Sequence, residues 1–150
     1  MSLFLMGLVA CDGKMLGGED YEIASGELTG KIDGVDWAPA VGETQVDLGD
    51  ADTWLATLWS EDLEACSRDL PKGDGLVFDA PMAAGEYELG PELSVTFVYG
   101  ESLSNAVSTT GLLEIEEVGA DRVSGGLYAI YAADADFEVS GRFVLEICVD

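Results

Sequence analysis

The sequence predicts an all-β fold, an antiparallel β-sandwich or flattened barrel of about 8–10 short strands. Glycine is abundant, with 19 residues, and turn-forming clusters divide the chain into short apolar runs. Within these runs apolar residues recur at every second position, as at Phe143, Leu145 and Ile147, which is typical of a strand with one buried face. Hydrophobic residues make up 48% of the chain, so a disordered chain is excluded.

Candidate strands follow one another along the chain, each bounded by turn-forming residues. The Asp33-Gly34 pair predicts a hairpin between the first two strands, because glycine accepts the positive φ of a type I′ turn. In chain order, the candidate strands span residues 22–32, 35–38, 44–48, 53–60, 75–79, 86–89, 93–99, 109–118, 122–132 and 138–148.

The stretch around the second and third tryptophans allows two interpretations. Its large apolar residues could share one face of a helix, but Thr53, Thr57 and the tryptophans favour a strand over 53–60. We therefore expect at most one short helix, a single turn near 61–67 with Ser60 as its N-cap.

Residues 1–11 form an apolar run that ends in Leu8-Val9-Ala10-Cys11. This arrangement resembles the lipobox of bacterial lipoproteins, in which the cysteine is acylated and the preceding residues are removed. The resemblance implies that Cys11 is lipidated; a first β-strand that buries Cys11 is the alternative. No Lys or Arg precedes Lys14, so the segment is a truncated signal and we expect the natural start to lie upstream.

Residues 12–21 lack hydrophobic periodicity and include Gly17-Gly18, which predicts a flexible acidic tether. The remaining residues, 22–150, are expected to form a single all-β domain, because a chain of this length suits one hydrophobic core.

The charge of the chain is strongly negative, with 30 acidic against 6 basic residues and a formal net charge of −24. Binding to phosphate backbones needs clusters of Lys and Arg, so nucleic acid is excluded as a partner. Anionic membrane surfaces repel such a domain, so the bilayer is expected to be contacted through the acyl anchor only. The acidity indicates either a saline habitat or bound cations, since both reduce self-repulsion.

Two cysteines, Cys66 and Cys148, remain once Cys11 is assigned to lipid. Outside the cytoplasm such a pair tends to oxidise, and we favour a disulfide over two separately buried thiols. The bond would close a loop of about 82 residues and contribute about 4–5 kcal/mol on the chain-entropy model.

The inventory of catalytic groups is small. The chain contains no histidine, which excludes Ser-His-Asp and Cys-His catalysis and histidine-ligated zinc. No glycine-rich phosphate loop is present. We expect no catalytic residue and no enzyme activity, although a pair of carboxylates could still hydrolyse glycosides.

Calcium is the one cofactor that the sequence suggests. Carboxylates at alternating positions are typical of oxygen-ligated calcium sites, but solvated turn acids are the simpler interpretation. The candidate ligands are Asp47, Asp50, Asp52, Asp134 and Asp136.

Aromatic residues suggest a sugar-stacking platform formed by Trp37, Trp54 and Trp59. We favour the interpretation that these large side chains fill the core, which is where most aromatic residues lie.

Several short patterns together resemble a group of uncharacterised secreted bacterial lipoproteins. The resemblance implies a small all-β domain, export and a Cys66–Cys148 bond, and it implies no reaction. The patterns lie at residues 30–37, 65–66, 84–89, 111–118, 121–131 and 139–148.

These observations lead to the expectation of a non-catalytic lipoprotein of the bacterial cell envelope, lipid-anchored and facing the periplasm or the exterior. Its role would be structural, or binding of an envelope protein or glycan. The alternatives are a carbohydrate- or calcium-binding β-sandwich module and, from another class, a small carboxylate-based glycoside hydrolase.

Overall fold

The computed structural model describes residues 20–46, 53–67 and 73–149, and within these ranges it contains eleven strands and no helix. The all-β prediction is confirmed. The strands are β1 (Thr29–Ile32), β2 (Val35–Trp37), β3 (Val41–Val46), β4 (Thr53–Trp59), β5 (Gly75–Pro81), β6 (Gly85–Glu88), β7 (Val95–Tyr99), β8 (Ser104–Ser108), β9 (Thr110–Val118), β10 (Arg122–Tyr131) and β11 (Asp134–Cys148).

All eleven strands belong to one curled sheet that forms a half-barrel. Its order is β6-β9-β10-β11-β3-β4-β5-β7-β8, with β1 and β2 added beside β11. The pairing is antiparallel except between β3 and β11, which run parallel. At 15 residues β11 is the longest strand, and it pairs with β10, β1 and β3 along its length. This strand therefore forms the middle of the sheet.

The core lies on the concave face of the sheet, where alternate side chains are buried. In β4, for example, Ala56 and Leu58 are buried while Leu55 on the other face is exposed. Leu76, Leu127 and other inward-facing side chains are completely buried. Apolar burial on one face of a twisted sheet is what drives such a fold to curl around its own core.

An aromatic cluster connects β10 and β11 with β7. Phe137 on β11 makes edge-on contacts with Phe97, Tyr99 and Tyr131, with ring centroids 5.0–5.8 Å apart. Two of these partners come from β7 and one from β10, so the cluster connects strands that are distant in the sheet order. Edge-to-face pairs of this kind add to the energy of area burial.

The predicted hairpin at Asp33-Gly34 is confirmed. Ile32 pairs with Val35, and the two turn residues have φ values of 51° and 73°, as a two-residue type I′ turn requires.

The strand prediction for 53–60 is confirmed as β4, and residues 61–67 form no helical turn, which agrees with the expectation of at most one short helix there. That segment consists of bends and a turn, and the Ser60 N–H donates to the Asp74 carbonyl at 3.2 Å. A single helical turn is too short to be stable by itself.

The remaining differences concern strand bounds. β8 lies outside the candidate strands because its sequence, Ser-Asn-Ala-Val-Ser, is polar; pairing with β7 forms it. β11 begins at Asp134 rather than residue 138, and β3 begins at Val41 rather than 44.

The segment before β1, expected as part of a strand from residue 22, instead lies extended against the face opposite the core. The Tyr21 ring stacks on Tyr128 with centroids 5.5 Å apart, and the Ala24 N–H donates to the Ser140 hydroxyl at 2.9 Å. Only Glu27 pairs with a strand, through a bridge to Arg142.

Candidate functional site

A disulfide links the turn after β4 to the end of β11. Cys66, in the turn after β4, is bonded to Cys148 at the end of β11, with their Cα atoms 5.4 Å apart, so the predicted disulfide is confirmed. Cys66 has a φ of 62°, and its N–H donates to the Glu43 carboxylate on β3. The bond therefore fastens the loop after β4 to the parallel β3–β11 pair.

Glu43, Cys66 and Cys148 also form the one group of three potential metal ligands found in the described part of the chain, with ligand atoms within 4.8 Å of one another. Thiolates, not disulfide sulfurs, are the metal ligands that cysteine supplies. With the bond formed, this group offers a metal only the Glu43 carboxylate, which already accepts the Cys66 N–H.

Only some of the residues predicted to carry lipid or to bind calcium lie in the described part of the chain. Cys11, Asp47, Asp50 and Asp52 lie outside the described residues. At the start of β11 the Asp136 N–H donates to the Asp134 carboxylate at 3.0 Å, and both side chains are exposed. This local bond orders the turn between β10 and β11.

The three tryptophans do not share one face of the sheet. Trp37 is 5% exposed, and its indole N–H donates to the Asp74 carbonyl at 2.9 Å, so its ring belongs to the core. Trp54 and Trp59 are half-buried near opposite ends of β4. Five positions separate them, which places them on opposite faces of the strand because side chains alternate. A platform of three rings does not form.

A groove of about 820 Å³, hereafter the acidic groove, opens between β6 and the end of β5. Its carboxylates come from three elements: Asp79 on β5, Glu86 and Glu88 on β6, and Glu92 in the β6–β7 loop. Pro81, Pro91 and Leu93 supply apolar walls, and none of the described residues that line the groove is Lys or Arg.

Sequence reasoning did not identify the acidic groove. The alternation of Glu86 and Glu88 within a predicted strand places both on one face, which was a readable signal. Glu86 and Glu88 lie near Asp79 because β6 pairs with β9 and not with β5. This pairing joins strands that are distant in the sequence, so no local pattern predicts it.

A smaller groove of about 360 Å³ lies beside β11, between the segment before β1 and the start of β3. Arg142 lies in its wall, and its guanidinium is 3.1 Å from the Glu114 carboxylate. A cation that already has a carboxylate partner is less available to a ligand.

No protein-family model, curated protein or solved structure matches the chain. Among the described residues, no helix has the length and apolar character needed to cross a membrane.

Proposed function

We propose that the protein is a non-catalytic, lipid-anchored lipoprotein of the bacterial cell envelope, whose half-barrel binds an envelope protein or glycan on the periplasmic or exterior side. The observation that carries the proposal is the Cys66–Cys148 disulfide. Structural disulfides persist in oxidising compartments and are rare in the cytosol. The disulfide supports export, and the lipobox-like ending at Cys11 supplies the anchor.

The filled interior supports a non-catalytic role. Phe97, Leu127 and Leu145 are completely buried, so the concave side of the sheet is core rather than cleft. Catalytic sites instead bring convergent polar groups into a concave pocket.

The exposure of the carboxylates argues in the same direction. Asp79, Glu86, Glu88 and Glu92 of the acidic groove are exposed, whereas the general acid of a glycosidase is held in an apolar pocket. This is why we propose binding rather than glycoside hydrolysis.

Metabolic labelling tests the anchor. The full protein is expressed in a bacterial host in the presence of an alkyne analogue of palmitate, and label is read after click coupling. We expect label on the wild type and none on Cys11→Ser. The matched control, Cys66→Ala with Cys148→Ala, also removes cysteine but should keep its label. An unlabelled wild type, or label that persists in Cys11→Ser, would refute lipidation at Cys11.

A further inference from the structure

We infer that the acidic groove is a docking site for a basic peptide segment in extended conformation, which adds a strand to the free edge of β6. The inference deepens the binding role proposed above and rests on it. It specifies the partner as a protein segment that carries Lys or Arg at every second position.

The register of β6 leaves one side of the strand without a partner among the described strands. Within the described residues β6 pairs with β9 alone, and the Leu89 N–H continues that register by donating to the Gly111 carbonyl at 3.0 Å. In an antiparallel pair, bonded positions alternate, so Tyr87 also bonds to β9, while the N–H and C=O groups of Glu86 and Glu88 point away from it. Strand addition uses such an unpaired row of backbone groups.

The opposite wall of the groove is a second open edge. β7 pairs with β5 only from Gly75 to Phe78, so Asp79 to Pro81 extend beyond it. No backbone hydrogen bond between described residues joins this end of β5 to β6. The groove therefore lies where the half-barrel is open.

The groove is preformed and has the length of a short strand. A hydrogen bond of 2.9 Å from the Gly90 N–H to the Leu93 carbonyl closes the loop around Pro91. Proline has a fixed φ, so this wall needs little ordering when a ligand binds. The four residues of β6 span about 14 Å at the antiparallel rise per residue, which matches an added segment of four residues.

The charge of the groove determines which strand it accepts. Glu86 and Glu88 are two positions apart and so point to the same face, and Asp79 and Glu92 line the same groove. These carboxylates repel a second copy of this chain, whose net charge is −24. They attract a strand with Lys or Arg at alternate positions, and the overall charge steers such a partner toward the domain.

The test uses the full chain with Cys11→Ser and a fluorescent seven-residue peptide of alternating Lys and Val, with binding read by anisotropy at low salt. We expect saturable binding of one peptide per chain that weakens as NaCl is added. Glu86→Gln with Glu88→Gln should weaken binding about tenfold, since two charge pairs are lost. The matched control is Glu116→Gln with Glu117→Gln, which removes the same charge from exposed sites of β9 outside the groove and should leave affinity within about twofold.

N-methylation of the peptide tests strand addition separately from charge. Alternate N–H groups of an added strand point to β6. Two peptides are therefore compared, one N-methylated at every Lys and the other at every Val; one should lose binding and the other should retain it. Equal binding by the two methylated peptides, equal losses in the groove and control variants, or no binding at low salt would overturn the inference. A peptide of alternating Glu and Val should not bind. Failure here leaves the labelling of Cys11 unaffected, so the two proposals fail independently.

Discussion

Removal of the disulfide is expected to cost a large part of the stability of the domain. Cys66 and Cys148 are 82 residues apart in sequence. On the chain-entropy model, a cross-link over that distance lowers the entropy of the unfolded chain by an amount worth about 4.5 kcal/mol at 25 °C. For a domain of about 130 residues, this loss corresponds to a fall in melting temperature of about 15 °C.

The assay compares urea unfolding of the full chain carrying Cys11→Ser with the same chain that also carries Cys66→Ala and Cys148→Ala. The variant should unfold at lower urea with a larger slope, because its unfolded state is less compact. A dithiol reductant should bring the parent to the stability of the variant and leave the variant unchanged.

A difference in unfolding free energy below about 1 kcal/mol would contradict this prediction, because it would mean that the cross-link does not constrain the unfolded chain. Parent and variant that respond equally to the reductant would refute it as well.

Three further predictions concern the core, a close backbone contact and the charge. Leu127→Ala should cost about 2–5 kcal/mol in urea unfolding, because Leu127 is 0% exposed. Val144→Ala, at a side chain 55% exposed, should change stability by at most about 0.5 kcal/mol. Equal losses of stability in the Leu127 and Val144 variants would contradict the burial of Leu127. Gly111→Ala should be strongly destabilising, because the new Cβ would overlap the Tyr128 carbonyl. Gly26→Ala should leave stability unchanged, because no atom lies within 4 Å of its new Cβ. A larger loss of stability in Gly26→Ala than in Gly111→Ala would contradict the β9–β10 register. NaCl should raise the melting temperature by screening the charge of −24, and CaCl₂ at matched ionic strength should raise it equally; a larger rise with CaCl₂ would indicate a specific calcium site.

Local sequence patterns predict most of this sheet. Alternation at Phe143, Leu145 and Ile147 predicts the end of β11, and Asp33-Gly34 predicts the first hairpin, because both signals depend on neighbouring residues only. Counting cysteines also predicts the disulfide once one cysteine is assigned elsewhere.

What the sequence does not predict is set by non-local pairing. β8 has a polar sequence; its backbone pairs with β7, and its buried Ser108 donates from its hydroxyl to the Ile130 carbonyl of β10 at 2.6 Å. In the parallel pairing of β3 with β11, Glu43 lies opposite Glu146, although most of the chain separates them in sequence. The acidic groove has the same origin, since neither edge of it is visible until the strand order is known.

The lipid anchor and the disulfide are tested most directly by the intact mass of the protein purified from membranes after alkylation with N-ethylmaleimide and without reduction. We predict a chain that starts at Cys11 and carries a diacylglyceryl group and one further acyl chain. It should carry no maleimide, because Cys66 and Cys148 are joined. A chain that carries maleimide on Cys11, Cys66 and Cys148 and no lipid would contradict both the export and the anchor.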